Sequence, residues 1–218
     1  MNTQDTVHRK SAAELRIRRV MDALEKNNMQ AYYAPTCADA VKIAKELLQP
    51  GDVISCGGSV TLDETGVMDL MRCGDYEFLD RTAAKTPEER EKLYREVFSS
   101  DVFLTGTNAV TEHGELYNVD GNGNRVAAML FGPKKVLVFA GCNKIVRDID
   151  DAAKRVKSCA TPANAMRLNL DTPCTHGACP RHGRRAVRGM PLGKSHLRDV
   201  HGFGTPAREG QNSCYSHR

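Results

Sequence analysis

"DVISCGGSVTLDETGVMDLMRCG", residues 52–74, is the stretch that decides the fold. A short apolar run ends in Gly57 and Gly58, and a helical pattern closed by Gly74 begins at once. A buried strand feeding a glycine turn and then a helix is the unit from which parallel sheets are built. Between strand and helix stand Ser59 and Thr61, with Asp63 and Glu64 just behind them. Glycines let backbone N–H groups approach an anion, and hydroxyls add hydrogen bonds. The motif is neither a Walker A loop nor a GxGxxG fingerprint, so by itself it fits a tight turn with a helix cap as well as an anion site.

Outward from this unit the same alternation recurs. Residues 11–27 place Ala13, Ile17, Val20, Met21 and Leu24 at helical spacing. "MQAYYA" is a strand, and residues 36–51 are a helix with Thr36 and Asp39 as a capping box and Pro50-Gly51 as its stop. Residues 62–74 form one helix, and "YEFLD" is a strand. Residues 85–100 are a helix with Thr86 as N-cap and Pro87 at its first position. A strand from residue 101 leads into a hairpin turning at Glu112-His113-Gly114. "NRVAAMLFG" is a short apolar helix, "KKVLVFAG" a fully buried strand, and "DIDDAAKRVKS" an amphipathic helix. The expected architecture is α/β, three layers αβα around a mostly parallel sheet. In such sheets ligands bind beyond the carboxyl ends of the strands.

The chain has 218 residues, 40% hydrophobic and 27% charged, which suits one domain with an appendage. The polar, basic beginning lacks the apolar core of a signal peptide, and no uncharged apolar run reaches membrane-spanning length. The expectation is a cytoplasmic protein with no membrane span. The net charge of +4 is unevenly distributed: residues 176–218 hold 8 of the 31 basic residues, 2 of the 27 acidic ones and five of the seven histidines. The expected division is therefore 1–175 as the α/β domain and 176–218 as an aberrant Gly/Arg/His-rich tail. Nucleic-acid binding would rest on that tail alone and is not expected.

Two further clusters carry chemistry. Residues 105–128 are dense in polar side chains, among them Asn108, Asn118, Asp120, Asn124 and Arg125. A simple turn needs one Asn-Gly or Asp-Gly, not Asp-Gly-Asn-Gly-Asn-Arg. The fork of Arg125 suits a carboxylate or phosphate, and Asp120 suits a base or an orienter of that arginine. The competing possibility is a structural Asp120–Arg125 pair. The second cluster is "TPCTHGACPRH", where Cys174 and Cys179 suggest zinc or an iron–sulfur cluster, although no CxxC partner completes the set. Cys37, Cys56, Cys73, Cys142 and Cys159 are expected as small buried hydrophobes.

"GGSVTLDETG", "FLTGTNAVTEHGELYNVDGNGNRVAAMLFGPKKVLVFAGCNKIV" and "TPC" resemble the LUD-domain family, the lactate-utilisation proteins, from about residue 10 to about residue 180. The resemblance implies a fold like that of ribose-phosphate isomerases, glucosamine-phosphate deaminases and CoA transferases. In those relatives a glycine–Ser/Thr loop after a strand holds an anionic substrate. It also implies L-lactate oxidation alongside an iron–sulfur partner protein. The residues expected at a small-anion site are Gly57, Gly58, Ser59, Thr61, Asn108, Asn124 and Arg125, with Glu64 and Asp120 as catalytic candidates. The alternatives are an independent enzyme of the sugar-phosphate isomerase or CoA-transferase kind, with Glu64 or Asp120 as base or nucleophile, and a non-catalytic scaffold subunit.

Members of this type continue after "TPC" with cysteines of the form T-G-x-C-x-x-C and R-x-C and end on an apolar strand; this chain instead runs on in Arg, Gly and His without apolar periodicity, and the alternative to a frame slip is a real, divergent basic tail. Dropping one nucleotide from a back-translation of residues 210–217 permits Val-Lys-Ile-His-Val-Ile-Val, an alternating strand. The expectation is a frame slip across roughly the last 35 to 40 residues, leaving them unable to pack as a native element.

Overall fold

The computed structural model describes residues 3–172, 175, 198–199 and 212–216. Eight α-helices are described: α1 (Thr3–Lys26), α2 (Cys37–Leu47), α3 (Val60–Thr65), α4 (Val67–Met71), α5 (Pro87–Glu96), α6 (Asn124–Leu130), α7 (Ile149–Arg155) and α8 (Thr161–Arg167). The strands are β1 (Gln30–Ala34), β2 (Val53–Cys56), β3 (Glu77–Leu79), β4 (Val102–Gly106), β5 (Ala109–Thr111), β6 (Leu116–Tyr117), β7 (Val119–Asp120), β8 (Lys135–Gly141), β9 (Ile145–Val146), β10 (Arg198–Asp199) and β11 (Asn212–Ser216). The main sheet has the order β1-β11-β8-β4-β2-β3, and every pairing in it is parallel. Helices cover both of its faces, so the fold is a three-layer α/β sandwich.

Period-two alternation assigns the core residues to the two faces. On one face Ile54, Val102, Leu104, Leu137 and Phe139 pack against Ala44 and Leu48 and against Leu62, Val67 and Met71. Phe103, Val136 and Val138 point the other way, onto Ala128 of α6 with Val97 and Phe98 beside it. Helix α1 buries Ile17, Val20 and Leu24 against Val110, Ala140 and Ile145. That is the stripe the helical spacing predicts.

Local chemistry sets the boundaries. The expected capping box forms at Thr36 with Asp39, and the expected N-cap Thr86 forms a second one with Glu89. The expected hairpin forms between β5 and β6, where Gly114 sits at φ 79° with its Cα against the backbone of Ala23 in α1. The single helix expected over 62–74 is instead two. Gly66 takes the left-handed conformation, φ 80°, and separates α3 from α4. The Thr65 hydroxyl donates back to the Thr61 carbonyl at 2.7 Å, the local bonding that loosens helix ends. Of the five cysteines expected as small buried hydrophobes, Cys73 and Cys159 are exposed, and Cys37, Cys56 and Cys142 are partly buried.

The sequence places a domain boundary after residue 175. The backbone of Asn212–Ser216 nevertheless occupies a central strand position, in register with Gln30–Ala34 on one side and Leu137–Gly141 on the other. Arg198–Asp199 pairs antiparallel with β7. The rest of 176–218 lies outside the described residues. Strands covered on both faces are normally near-continuous apolar runs, and Asn-Ser-Cys-Tyr-Ser is not one.

Candidate anion site at the carboxyl ends of the strands

Strands β8, β4 and β2 are neighbours and parallel, so their carboxyl ends open on the same side. Three segments therefore converge there: Gly57–Thr61 after β2, Thr107–Asn108 after β4, and Cys142–Lys144 after β8. The first two are expected from sequence. The third is not, and it supplies Lys144.

Glycines make the convergence possible. A Cβ on Gly57 would lie 2.7 Å from Thr105 Oγ1 and 2.8 Å from Arg125 Cγ. A Cβ on Gly106 would lie 2.5 Å from Ser59 Oγ and 3.5 Å from Lys144 Nζ. Gly57 N–H donates to the Leu104 carbonyl, so that amide continues the ladder. Gly58 is exposed, with Arg81 Nη2 2.7 Å and Arg167 Nη2 3.7 Å from where its Cβ would be. Ser59 is the N-cap of α3, yet its side chain makes no capping hydrogen bond.

Arg125 and Asp120 form a closed knot. Arg125 Nε donates to Asp120 Oδ1 at 2.8 Å, and Nη2 reaches the same oxygen at 2.7 Å. Arg125 Nη1 donates to the Gly106 carbonyl at 2.9 Å and to Asn118 Oδ1 at 2.8 Å. Nη2 also donates to Asn108 Oδ1 at 3.2 Å. The other Asp120 oxygen accepts from Val126 N–H at 2.9 Å, and Asn108 Oδ1 accepts from Val119 N–H at 2.8 Å. The two side chains are 7% and 11% exposed. A guanidinium has five N–H groups, and these partners occupy them all. The pair is a strut between β4, β7 and α6, and its fork is turned on the protein itself. Asn124 opens α6 beside this knot, and Glu64 is exposed on α3.

Lys144 has the opposite surroundings. Its Nζ donates to Thr61 Oγ1 at 2.7 Å. Among the described residues no carboxylate pairs with it. Burial, then the positive charges of Arg155 and Arg125, push its ammonium down to about 8. Arg155 is itself half-buried, donating through Nε to the Asn143 carbonyl at 3.2 Å and through Nη1 to the Asn108 carbonyl. The neighbouring Cys56 thiol is pushed up to about 11, chiefly by burial, so it is no thiolate at neutral pH. The only sequence signal for Lys144 was its position, a lone cation three residues beyond the buried strand "KKVLVFAG" and directly before Ile145-Val146.

Cys174 and Cys179, the expected metal ligands, lie outside the described residues. Among the described residues no group of three or more His, Cys, Asp or Glu is arranged to hold a metal ion. Nor, among them, is any helix long and apolar enough to cross a membrane.

A parallel sheet covered by helices on both faces, with loops gathered at its carboxyl edge, defines a three-layer α/β protein. Within that class the chain belongs to the LUD-domain family, which matches it over residues 17–185 and makes it a lactate-utilisation-related protein. A DUF162 family protein from Deinococcus radiodurans, known from its crystal structure, is similar in fold at a TM-score of 0.50. It is 11% identical, and the alignment covers 94% of this chain and 98% of that one. No curated protein matches the chain.

Proposed function

We propose that the protein binds a small anionic metabolite, a 2-hydroxy or 2-oxo carboxylate, at the carboxyl edge formed by Gly58, Ser59, Thr61 and Lys144. The observation that carries this reading is the largely buried Lys144 ammonium, held on a hydroxyl with two arginines facing it. A buried charge is costly unless compensated. A carboxylate would supply the compensation, and Lys144, Ser59 and Thr61 would supply charge and hydrogen bonds to it. Arg125 enters as the strut behind Gly57 rather than as the hand that grips the anion. Within lactate utilisation, this reading makes the chain a subunit that presents the metabolite to an iron–sulfur partner protein, with electron transfer outside the described residues.

Calorimetric titration with lactate and with pyruvate tests the reading. Binding by the wild type that is lost in Lys144→Met, and kept in Glu64→Gln, is the expected result. Absence of binding by both ligands overturns it. Turnover of a phosphosugar or an acyl-CoA that disappears in Glu64→Gln would instead favour an isomerase- or transferase-like enzyme.

A further inference from the structure

We infer that Lys144 is a carbonyl-capturing amine, and that the site takes 2-oxo acids by forming an imine between Lys144 Nζ and the carbon next to the carboxylate. The inference rests on the anion-site reading above and adds a covalent step to it. Its basis is an arrangement of groups. Nζ is held 2.7 Å from a hydroxyl that can both accept and return a proton. It sits over Gly106, where an added Cβ would come 3.5 Å from Nζ and 2.5 Å from Ser59 Oγ, so the bare glycine leaves room there and a second hydroxyl stands on the same side. Arg125 and Arg155, the charged groups facing it among the described residues, are both cations and are held by protein acceptors. An ammonium whose only purpose was structural would be expected to meet a carboxylate, as Arg125 does in the same end of the sheet.

The chemistry balances without an oxidant. The neutral amine attacks the carbonyl carbon, a C–N bond forms, and the carbonyl π pair moves to oxygen. A proton passes from nitrogen to that oxygen through the Thr61 hydroxyl. The remaining nitrogen proton reaches the same oxygen by that route as the C–O bond breaks, water leaves, and C=N forms as the nitrogen lone pair moves in. One water is released, and no electrons change hands. Desolvation beside other cations is a recognised means of keeping a lysine amine nucleophilic at neutral pH. With the ammonium at about 8 instead of 10.5, the neutral fraction at pH 7 rises about 300-fold. A 2-oxo acid fits better than a plain aldehyde, because its carboxylate offers the negative charge that this cationic edge lacks.

The experiment uses the full chain, pyruvate and sodium cyanoborohydride, with tryptic mapping by mass spectrometry. Expected is one carboxyethyl group on Lys144, formed at least about tenfold faster than on any other lysine. Lactate, which has no carbonyl, should slow that labelling by competition and leave no adduct of its own. These readouts need no variant; Lys144→Arg, which has no nucleophilic amine, should lose the adduct. Labelling of Lys144 at the pace of exposed lysines overturns the imine. So does fast labelling that lactate fails to slow, which would show an amine reactive without a site. Lactate and pyruvate binding without any adduct removes the imine and leaves the anion site standing. The absence of both binding and adduct removes both.

Discussion

Arg125 and Lys144 are cations at the same end of one sheet, yet they are treated in opposite ways. Arg125 is enclosed by Asp120, Asn118, Asn108 and the Gly106 carbonyl, with every N–H engaged. Lys144 has a threonine hydroxyl and two like charges. A compensated buried charge fixes geometry, whereas an uncompensated one stores unfavourable energy that an incoming anion can relieve. The contrast separates scaffold from site inside a region where the sequence shows only a crowd of polar residues.

The sharpest way to break the contrast is at Arg125. Arg125→Ala leaves Asp120 buried without its partner and should lower stability by about 3–5 kcal/mol in urea unfolding. A loss under about 1 kcal/mol would mean the knot is not a strut. Gly57→Ala drives a methyl into Thr105 and the Arg125 stem, and about 1–3 kcal/mol of destabilisation should follow. Lys144→Met should act in the other direction, raising the urea midpoint at pH 7 with a gain on the order of 1–3 kcal/mol. A destabilised methionine variant would show that Lys144 is compensated after all.

The pH dependence sharpens the same point with a smaller effect. The folded-state ammonium titrates near 8, below its unfolded value of about 10.4, so between these the unfolded chain binds more protons. Stability from this group therefore rises with pH across that window, and the advantage of Lys144→Met should shrink from pH 8 toward pH 10. Equal gaps at both pH values would rule this out. The smallest effect belongs to Ser59→Ala. Its side chain caps nothing, so unfolding should shift by less than about 0.5 kcal/mol while anion affinity falls.

Much of this was legible in the residues. The continuous apolar runs in "KKVLVFAG" and "DVFLTG" predict two strands, and β8 and β4 stand side by side. Asp120 and Arg125 stand out from the overloaded turn that holds them, and both the site and the structural pair fit that pattern. Side-chain geometry alone decides how the pair is used, because both uses need the same residue types. Lys144 was illegible for a different reason. A single lysine has no motif, and its meaning comes from β8 ending next to β4 and β2, a tertiary fact. The break at Gly66 was missed because the apolar spacing runs straight across it. Strand β11 was missed because Asn-Ser-Cys-Tyr-Ser carries no apolar alternation. A one-nucleotide slip ahead of it would account for that composition. Sequencing of the coding DNA with intact-mass measurement would then return a shifted 3′ end, and an unshifted end would dismiss the slip.

The place of β11 has a consequence for how the chain is made. In the main sheet β1 is joined through β11, so Gln30 pairs with Asn212, roughly 180 residues later. A ribosome would release β8, β4, β2 and β3 as a set able to pair among themselves. Strand β1 would have to wait, its ladder side open, until β11 emerged. Assembly of that edge is thus a late event that waits for Asn212–Ser216 to be made, and until then α1 with β1 is the part of the nascent protein left without its sheet neighbour.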